Sequence, residues 1–287
     1  MRLACPSCAC VTVNQKLYSK NSFDILQCAQ CGLGRTEGGG FDARTYYTED
    51  YFSGGRRDGY ADYLGSEPVL RREFVRTLEY IRGFRRDGCL LEIGCAYGFF
   101  LEEARRFYEV GGIEIADGAV AFCRARGLSV IGGVAQEATL AQFGMVDVIV
   151  LLDVIEHLPD PRDTLTLCRR YLNPGGVIVI TTGDFSSLYA RLAGRKWRLM
   201  TPPQHLWFFT PKSIRRLSHS LGLELEACDH PWKIVPLALI RFQMRRLLGA
   251  AAPAPAAGAN RIGLPVNLFD AMRCVLRNPE HRERDLA

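Results

Sequence analysis

The chain has 287 residues, 23% of them charged, and a net charge of +5. That length builds one large core or a core with small additions. The weak positive balance, without long blocks of either sign, gives no support to a nucleic-acid partner. The eleven cysteines are too unevenly spread for a disulfide framework. The start MRLACPSCAC lacks the apolar stretch of a signal peptide, and no run reaches the length of a membrane span. A reducing, cytoplasmic setting is therefore expected.

Residues 1–35 carry CPSC and, nineteen residues later, CAQC. Two C-x-x-C knuckles at this spacing predict a four-cysteine zinc ribbon. Cys5, Cys8, Cys28 and Cys31 would close a thiolate tetrahedron around a structural Zn²⁺, with Cys10 as the spare. The stretch VTVNQKLYSKNSFDIL between the knuckles reads as a hairpin. So small a module has too little apolar matter to fold without metal. Lys16 and Lys20 are the only basic side chains between the knuckles, too few for a phosphate-binding face. The expectation is a small cap on the domain that follows. Residues 36–66 form an aromatic lid or linker, in which Tyr46, Tyr47, Tyr51, Phe52 and Tyr60 are either a wall over a site or plain packing; Tyr51 and Tyr60 hold the most interest.

From residue 67 to residue 287 the pattern is that of one α/β domain. Leu70, Phe74, Leu78 and Ile81 fall on one side of a helix from Glu67 to Phe84. CLLEIG, VGGIEI, SVIGG, VDVIVLLDV and GVIVITT read as strands. Helices alternate with them in FFLEEARRFY, DGAVAFCRARG and PRDTLTLCRRYL, the last ended by NPGG. The strand runs lack apolar–polar alternation, as expected when helices cover both faces of a parallel sheet. TPKSIRRLSHSLG is a further helix with Thr210 as cap and Pro211 in its first turn. LELEACD and DAMRCVLRNP would add antiparallel strands, and AAPAPAAGAN between them is a linker or exposed loop.

LLEIGCAYGFF poses the main chemical question. A dinucleotide fingerprint needs three glycines for close approach to a pyrophosphate. Here Gly94, Ala96 and Gly98 are followed by the bulky Phe99 where the third glycine belongs. Glu92, just inside the turn, repels a pyrophosphate but welcomes an ammonium group. Glu114, at the end of the next strand, can accept both hydroxyls of a ribose. A phosphate-free nucleoside with a cationic amino-acid end, S-adenosylmethionine, satisfies both acids.

On these motifs the sequence resembles the class I S-adenosylmethionine-dependent methyltransferases, in the small-molecule branch related to ubiquinone-pathway O-methyltransferases that carries an N-terminal cysteine module. LLEIGCAYGFF matches the first family motif, with Ala96 where glycine is commoner. GGIEIADGAV matches the second and supplies Glu114 and Ile115. VIGGVAQEA matches the adenine-flanking segment, placing Val134, Ala135 and Gln136 near the base. VDVIVLLDVIEHLPDP and LNPGGVIVITTGD are the fourth and fifth. The resemblance implies a Rossmann-like seven-stranded methyltransferase sheet with helices on both faces and one antiparallel pair near its edge. The cofactor would lie across the carboxyl ends of the first strands. It also implies a divalent metal as one reading of Asp153, Glu156 and His157, the other being a helix-start acid and a packed imidazole.

Asp153, His157 and His205 are the expected catalytic residues. Asp153 would face the methionine end of the cofactor or the acceptor. An ordinary histidine titrates near neutrality and can take a hydroxyl proton. His205 stands in TPPQHLWFFTPKS, part of a substrate-side insertion over residues 184–209. There Trp197, Arg198, His205 and Trp207 would line or cover the acceptor. Arg195, Lys196 and Arg198 either meet an acidic acceptor or form a solvated basic loop. PLALIRFQMRRLLGA has the pattern of a basic amphipathic helix that docks on its own domain or lies on a membrane. GLPVNLFDAMRCVLRNP resembles the closing segment of the family, which would make the polypeptide essentially complete.

The expected activity is methyl transfer to a small-molecule or saccharide acceptor, acidic or lipid-linked in some readings, preferably at a hydroxyl oxygen. The rivals are N- or C-methylation of a sugar or natural-product intermediate, and a zinc-ribbon binding protein acting on RNA. No nucleic acid partner is expected. Oligomeric state is left open.

Overall fold

Asn21 and Ser22, both in the left-handed region at φ 51° and 66°, reverse the chain between the first long pair of strands. The computed structural model describes residues 1–38, 42–46, 51–52, 62–236 and 263–279. The N-terminal strands are β1 (Arg2–Cys5), β2 (Cys10–Lys20), β3 (Phe23–Cys28) and β4 (Gly34–Glu37). The expected hairpin between the knuckles is β2 and β3. The sheet does not end with the module. A later two-residue strand, Trp207–Phe208, pairs antiparallel with β4.

The central sheet takes β5 (Cys89–Ile93), β6 (Glu109–Glu114), β7 (Ser129–Gly132), β8 (Val146–Leu152) and β9 (Leu172–Gly183). Trp207–Phe208 is β10, and β11 (Glu224–Asp229), β12 (Lys233–Pro236), β13 (Gly263–Val266) and β14 (Ala271–Arg277) complete the chain order. The seven-stranded order is β11-β14-β9-β8-β5-β6-β7. All neighbours are parallel except β14, which runs against both β9 and β11. β12 and β13 form a separate hairpin.

Alternate residues of the strands feed two cores. Leu91, Ile93, Ile149, Leu151, Ile178 and Ile180 face one layer; Leu90, Val148, Val150, Val177 and Val179 face the other. Both layers are apolar because both are covered, which is why the strands do not alternate in sequence. The first layer also contains Cys5, Cys28, Cys31 and Leu33. The cysteine module is thus continuous with the core of the domain, a closer union than the cap expected from its motifs.

Helix predictions hold with shifted ends. The first long helix is Glu67–Arg82, and the helix capped by the Thr210 hydroxyl runs Pro211–Ser220. FFLEEARRFY is helical only over Phe99–Ala104. NPGG does not terminate a helix. The helix stops at Arg170 and Leu172 already pairs with Val146, so NPGG forms an irregularity inside β9 before Val177 meets Val148. The linker 251–260 and the amphipathic stretch 236–250 lie, but for Pro236, outside the described residues.

Candidate functional site

After β7 the chain returns to the other side of β5, so the order reverses between β5 and β8. In open α/β sheets the ligand crevice forms at such a switch, beyond the carboxyl ends of the strands. Gly94 and Gly98 follow β5 in the left-handed region, at φ 75° and 72°, and Ala96 between them adopts φ 46°. A Cβ on Gly94 would lie 2.6 Å from Val154 Cγ2, and one on Gly98 would lie 2.5 Å from Leu128 Cδ1. The turn is therefore pressed against the loop after β8. Tyr97 in the same turn packs on Phe52 with ring centroids 5.3 Å apart, and Phe52 packs on Tyr63 and Tyr51. The aromatic segment thus reaches the turn, whereas Tyr47 and Tyr60 lie outside the described residues.

Glu92 is 3% exposed, and its Oε2 has no hydrogen-bond partner among the described residues. Burial, with Cys123 and Glu114 nearby, holds its pKa well above the carboxylate range. That oxygen is free to meet a cationic or hydrogen-bond-donating ligand group. Glu114 is buried but satisfied: Oε2 accepts from the Ala96 N–H at 2.8 Å and Oε1 from the Ala116 N–H at 2.9 Å. Each oxygen keeps lone pairs for a diol. The two acids therefore fit the two ends of S-adenosylmethionine. Ile115 and Ala135 are half-buried nearby in sequence, while Val134 and Gln136 are exposed. Gln136 precedes the short helix Glu137–Leu140, and its N–H donates to Thr139 Oγ1 at 3.0 Å.

Beyond β8, Asp153 takes φ 55°. Its N–H donates to Thr181, and its Oδ1 accepts the Thr181 hydroxyl at 2.8 Å. Oδ2 lies 3.3 Å from Lys233 Nζ, which also meets Glu73 Oε1 at 2.8 Å. The Asp153 side chain is 48% exposed, yet dense surroundings still penalise its charge. Lys233 and the Thr181 hydroxyl outweigh that burial and hold its pKa below the ordinary value.

Glu156 is buried, and burial together with the Asp153 charge raises its pKa to about 8. His157 Nδ1 meets the Gln204 carbonyl at 2.9 Å. Its ring stands edge-on to His205, with centroids 4.6 Å apart. Burial lowers His157 to about 4, and burial plus the neighbouring His157 holds His205 well below its ordinary range. Both imidazoles are neutral at pH 7.

The three catalytic candidates are brought to one end of the sheet. The donor atoms of Glu156, His157 and His205 lie within 4.8 Å of one another. Asp153 is not in that group, being drawn to Lys233 and Thr181, so the triad Asp153, Glu156 and His157 is not the clustered set. Trp197 is no wall: it is 1% exposed in a core with Phe185, Met200 and Phe208. Its Nε1 donates to Asp270 Oδ2 at 2.8 Å, and Arg198 forks onto the same carboxylate. Trp207 donates Nε1–H to the Leu158 carbonyl at 2.8 Å. Lys233, Glu73, Thr181 and Asp270 escaped sequence reasoning because none stands in a motif with its partner.

The four expected cysteines form the second site. All are free thiols, with donor atoms within 4.8 Å of one another. Cys5 and Cys31 sulfurs are 3.6 Å apart and Cys8 and Cys28 sulfurs 3.9 Å. Zn–S bonds of about 2.3 Å place tetrahedral sulfurs about 3.8 Å apart, so the set fits such an ion. Cys10 is exposed. Arg216 Nη1 donates to Cys8 Sγ at 3.4 Å, a cation beside a cluster that would bind a metal as thiolates.

The sheet order, the switch-point turn and the paired acids define a Rossmann-like S-adenosylmethionine-dependent methyltransferase. A family profile described as "Methyltransferase domain" matches residues 66–227, and the chain belongs to that family. It is 31% identical over 178 residues to a ubiquinone biosynthesis O-methyltransferase of Cereibacter sphaeroides, covering 57% of this chain and 70% of the relative. The enzyme of that description from Methylococcus capsulatus is 26% identical over 185 residues, covering 60% and 76%. In fold, the chain is similar to a SAM-dependent methyltransferase from Archaeoglobus fulgidus. The TM-score is 0.52 at 19% identity, over 82% of this chain and 99% of that one. It is also similar to magnesium protoporphyrin IX methyltransferase from Synechocystis, with TM-score 0.51 at 12% identity, over 81% and 96%. The chain is an S-adenosylmethionine-dependent methyltransferase of a small-molecule acceptor, with a cysteine cluster able to chelate a metal. Among the described residues no helix is long and apolar enough to cross a membrane.

Proposed function

We propose that the chain methylates a hydroxyl oxygen of a small hydroxylated acceptor, bound beside Asp153, His157 and His205. The observation that carries this reading is the pair of neutral imidazoles, 4.6 Å apart, at the end of β8. They adjoin a loop pressed on the cofactor turn. Glu92, Gly94, Ala96, Gly98 and Glu114 would hold the cofactor, with Ile115, Val134, Ala135 and Gln136 along the nucleoside. The O-methyltransferase relatives in ubiquinone biosynthesis favour oxygen over nitrogen or carbon.

S-adenosylmethionine supplies an already activated methyl group when bound. The protein must align the acceptor and exclude water, which can lower a barrier by as much as about 7–11 kcal/mol. A base adds a factor of about 100 to 10,000. His157 and His205 would accept the hydroxyl proton, and the Asp153 carboxylate would favour the cation so formed. Zn²⁺ in the cysteine cluster would be structural, since four thiolates leave no open position.

A lipid-linked acceptor has one specific support. Leu188 and Leu192, a helical turn apart, are 72% and 79% exposed, with exposed Arg191, Arg195 and Lys196 beside them. Such a patch suits an anionic membrane surface.

The test is incubation with methyl-labelled cofactor and two panels, catechols and reducing sugars, each scored by mass. Methylation of a hydroxyl that falls at least about 100-fold in His157→Gln supports the reading. Burial lowers the His157 pKa to about 4, so at saturating cofactor turnover should keep its base form at neutral pH and fall on the acid side. Methylation at nitrogen or carbon, or full activity in both histidine variants, overturns it.

A further inference from the structure

Residues 200–208, which include His205, are held from two sides. On the sheet side the Leu206 N–H donates to the Glu156 carbonyl at 2.9 Å, and Trp207 and Gln204 reach Leu158 and His157. On the other side the contacts come from the cysteine module. The Thr36 hydroxyl donates to the His205 carbonyl at 2.6 Å, and the Thr36 N–H donates to the Leu206 carbonyl at 2.9 Å. Asn21 Nδ2 donates to the Pro202 carbonyl at 2.8 Å, and Lys20 Nζ to the Met200 carbonyl at 2.5 Å. Arg35 and Gly34 pair with Trp207 and Phe208. The approach at Gly34 is so close that a Cβ there would lie 2.8 Å from Phe185 Cε1 and 2.9 Å from Phe208 Cβ.

The knuckle leads directly into this contact. Gly32 N–H donates to the Cys28 carbonyl and Cys28 N–H to the Leu33 carbonyl, both at 2.9 Å. The Cys31 carbonyl accepts the Thr210 hydroxyl at 3.4 Å. The two cysteines of CAQC thus bracket the turn from which β4 departs. Among the described residues no hydrogen bond joins the module to Glu92, Glu114 or the Gly94–Gly98 turn.

We propose that the metal-held knuckle positions His205: it fixes β4, and β4 fixes the His205 backbone through Thr36, without reaching the cofactor end. Thr36 is then a positioning residue for an acceptor-side group 169 positions away in sequence. The inference rests on the reading of the cluster as a zinc site and of His205 as an acceptor-side residue.

The experiment uses the full chain, loaded with zinc, with imidazoles labelled at Cε1 and observed by NMR. His157→Gln and His205→Gln assign the two signals. Hydrogen exchange of residues 200–208 and calorimetry with S-adenosylhomocysteine accompany it. Removing zinc by chelation should move both imidazole signals and speed exchange of 200–208 by at least about tenfold. Affinity for S-adenosylhomocysteine should stay within about twofold.

Thr36→Val, at full zinc content, should speed exchange at 200–208 by about two- to tenfold, the loss of one hydrogen bond. Thr36→Ser should restore it. If chelation unfolds the chain, the zinc-loaded Thr36→Val and Thr36→Ser pair decides alone. Unchanged imidazole signals and exchange in zinc-loaded Thr36→Val overturn the inference, as does equal disturbance of the cofactor end. The acceptor reading fails by a different result, full turnover in both histidine variants.

Discussion

At the cofactor end, Glu114 is held by amide groups two and eighteen residues away in sequence. At the histidine end, His157 meets a carbonyl 47 residues away, and the carbonyl of His205 is held by Thr36, 169 residues away. The Glu114 carboxylate is set locally, by the turn after β5 and the end of β6. The histidine end exists only when three distant parts of the chain, around Thr36, His157 and His205, have assembled. Damage to the acceptor side should therefore spare the cofactor side, and the reverse should hold too.

The largest stability effect is expected at Asp270, which anchors Trp197 and Arg198. It is 1% exposed and accepts hydrogen bonds from Trp197 Nε1 and from Arg198 Nε and Nη2. Breaking a buried ion pair costs about 3–5 kcal/mol. Arg198 is 40% exposed and can rehydrate, so Asp270→Asn should cost about 2–3 kcal/mol in urea titration. Affinity for S-adenosylhomocysteine should not change. A matching loss of affinity would join the two ends that the geometry separates.

Glu92→Gln probes the other end. A hydrogen bond to a charged group contributes about 1.5–3 kcal/mol, so calorimetry should show a loss of roughly ten- to hundredfold in affinity for S-adenosylhomocysteine. The pH dependence has a definite sign. Burial raises the Glu92 pKa, so the empty site is protonated where ordinary carboxylates are not. Affinity for an ammonium-bearing ligand should rise with pH as that proton leaves. Fold stability carries the opposite trend. The raised group contributes stability that is full below the ordinary carboxylate range and lost as pH rises through the raised value. Glu92→Gln should flatten both slopes.

The same contrast explains which features the amino-acid sequence reveals. LLEIGCAYGFF and GGIEI contain the two acids proposed to hold the cofactor, and the amides that hold Glu114 lie within eighteen residues of it. CPSC and CAQC likewise disclosed the four-cysteine cluster able to chelate a metal. The union of the cysteines with the main core was hidden, since nothing in CAQC refers to Thr210 or to β10. Trp197 looked like a wall residue from its place in the insertion, but its indole N–H is claimed by Asp270, 73 positions away. Asp153 was legible as an acid after β8. Its true partners, Thr181 and Lys233, are long-range, and Lys233 opens a hairpin with no motif of its own.

Lys233→Gln should cost less than either variant above. Lys233 bridges Asp153 and Glu73 near the surface, where such pairs contribute about 0–1 kcal/mol. The Asp153 pKa is depressed, so its stabilisation is present above the ordinary Asp value of about 3.9 and fades as pH falls through the lower folded value. The gap between wild type and Lys233→Gln in urea titrations should therefore be about 1 kcal/mol at pH 7 and should narrow towards pH 3. A gap that widens on acidification would show that Lys233 acts through something other than these carboxylates.

The smallest expected effect is a gain. Ala96 occupies the left-handed region at φ 46°, which costs a residue with a Cβ about 1–2 kcal/mol. Glycine avoids that cost but pays about 0.5–1 kcal/mol in unfolded-chain entropy. Ala96→Gly would also remove a methyl group packed beside Tyr97 and Phe99. The balance favours a stabilisation of about 0.5 kcal/mol, with the Ala96 N–H still donating to Glu114. Because the Glu114 carboxylate is set locally, the gain should appear in urea titration while hydrogen exchange at residues 200–208 stays unchanged. A loss of stability would mean that the methyl contact outweighs the backbone strain. Ala96 would then be held by its packing against the aromatic cluster, despite a backbone conformation suited to glycine.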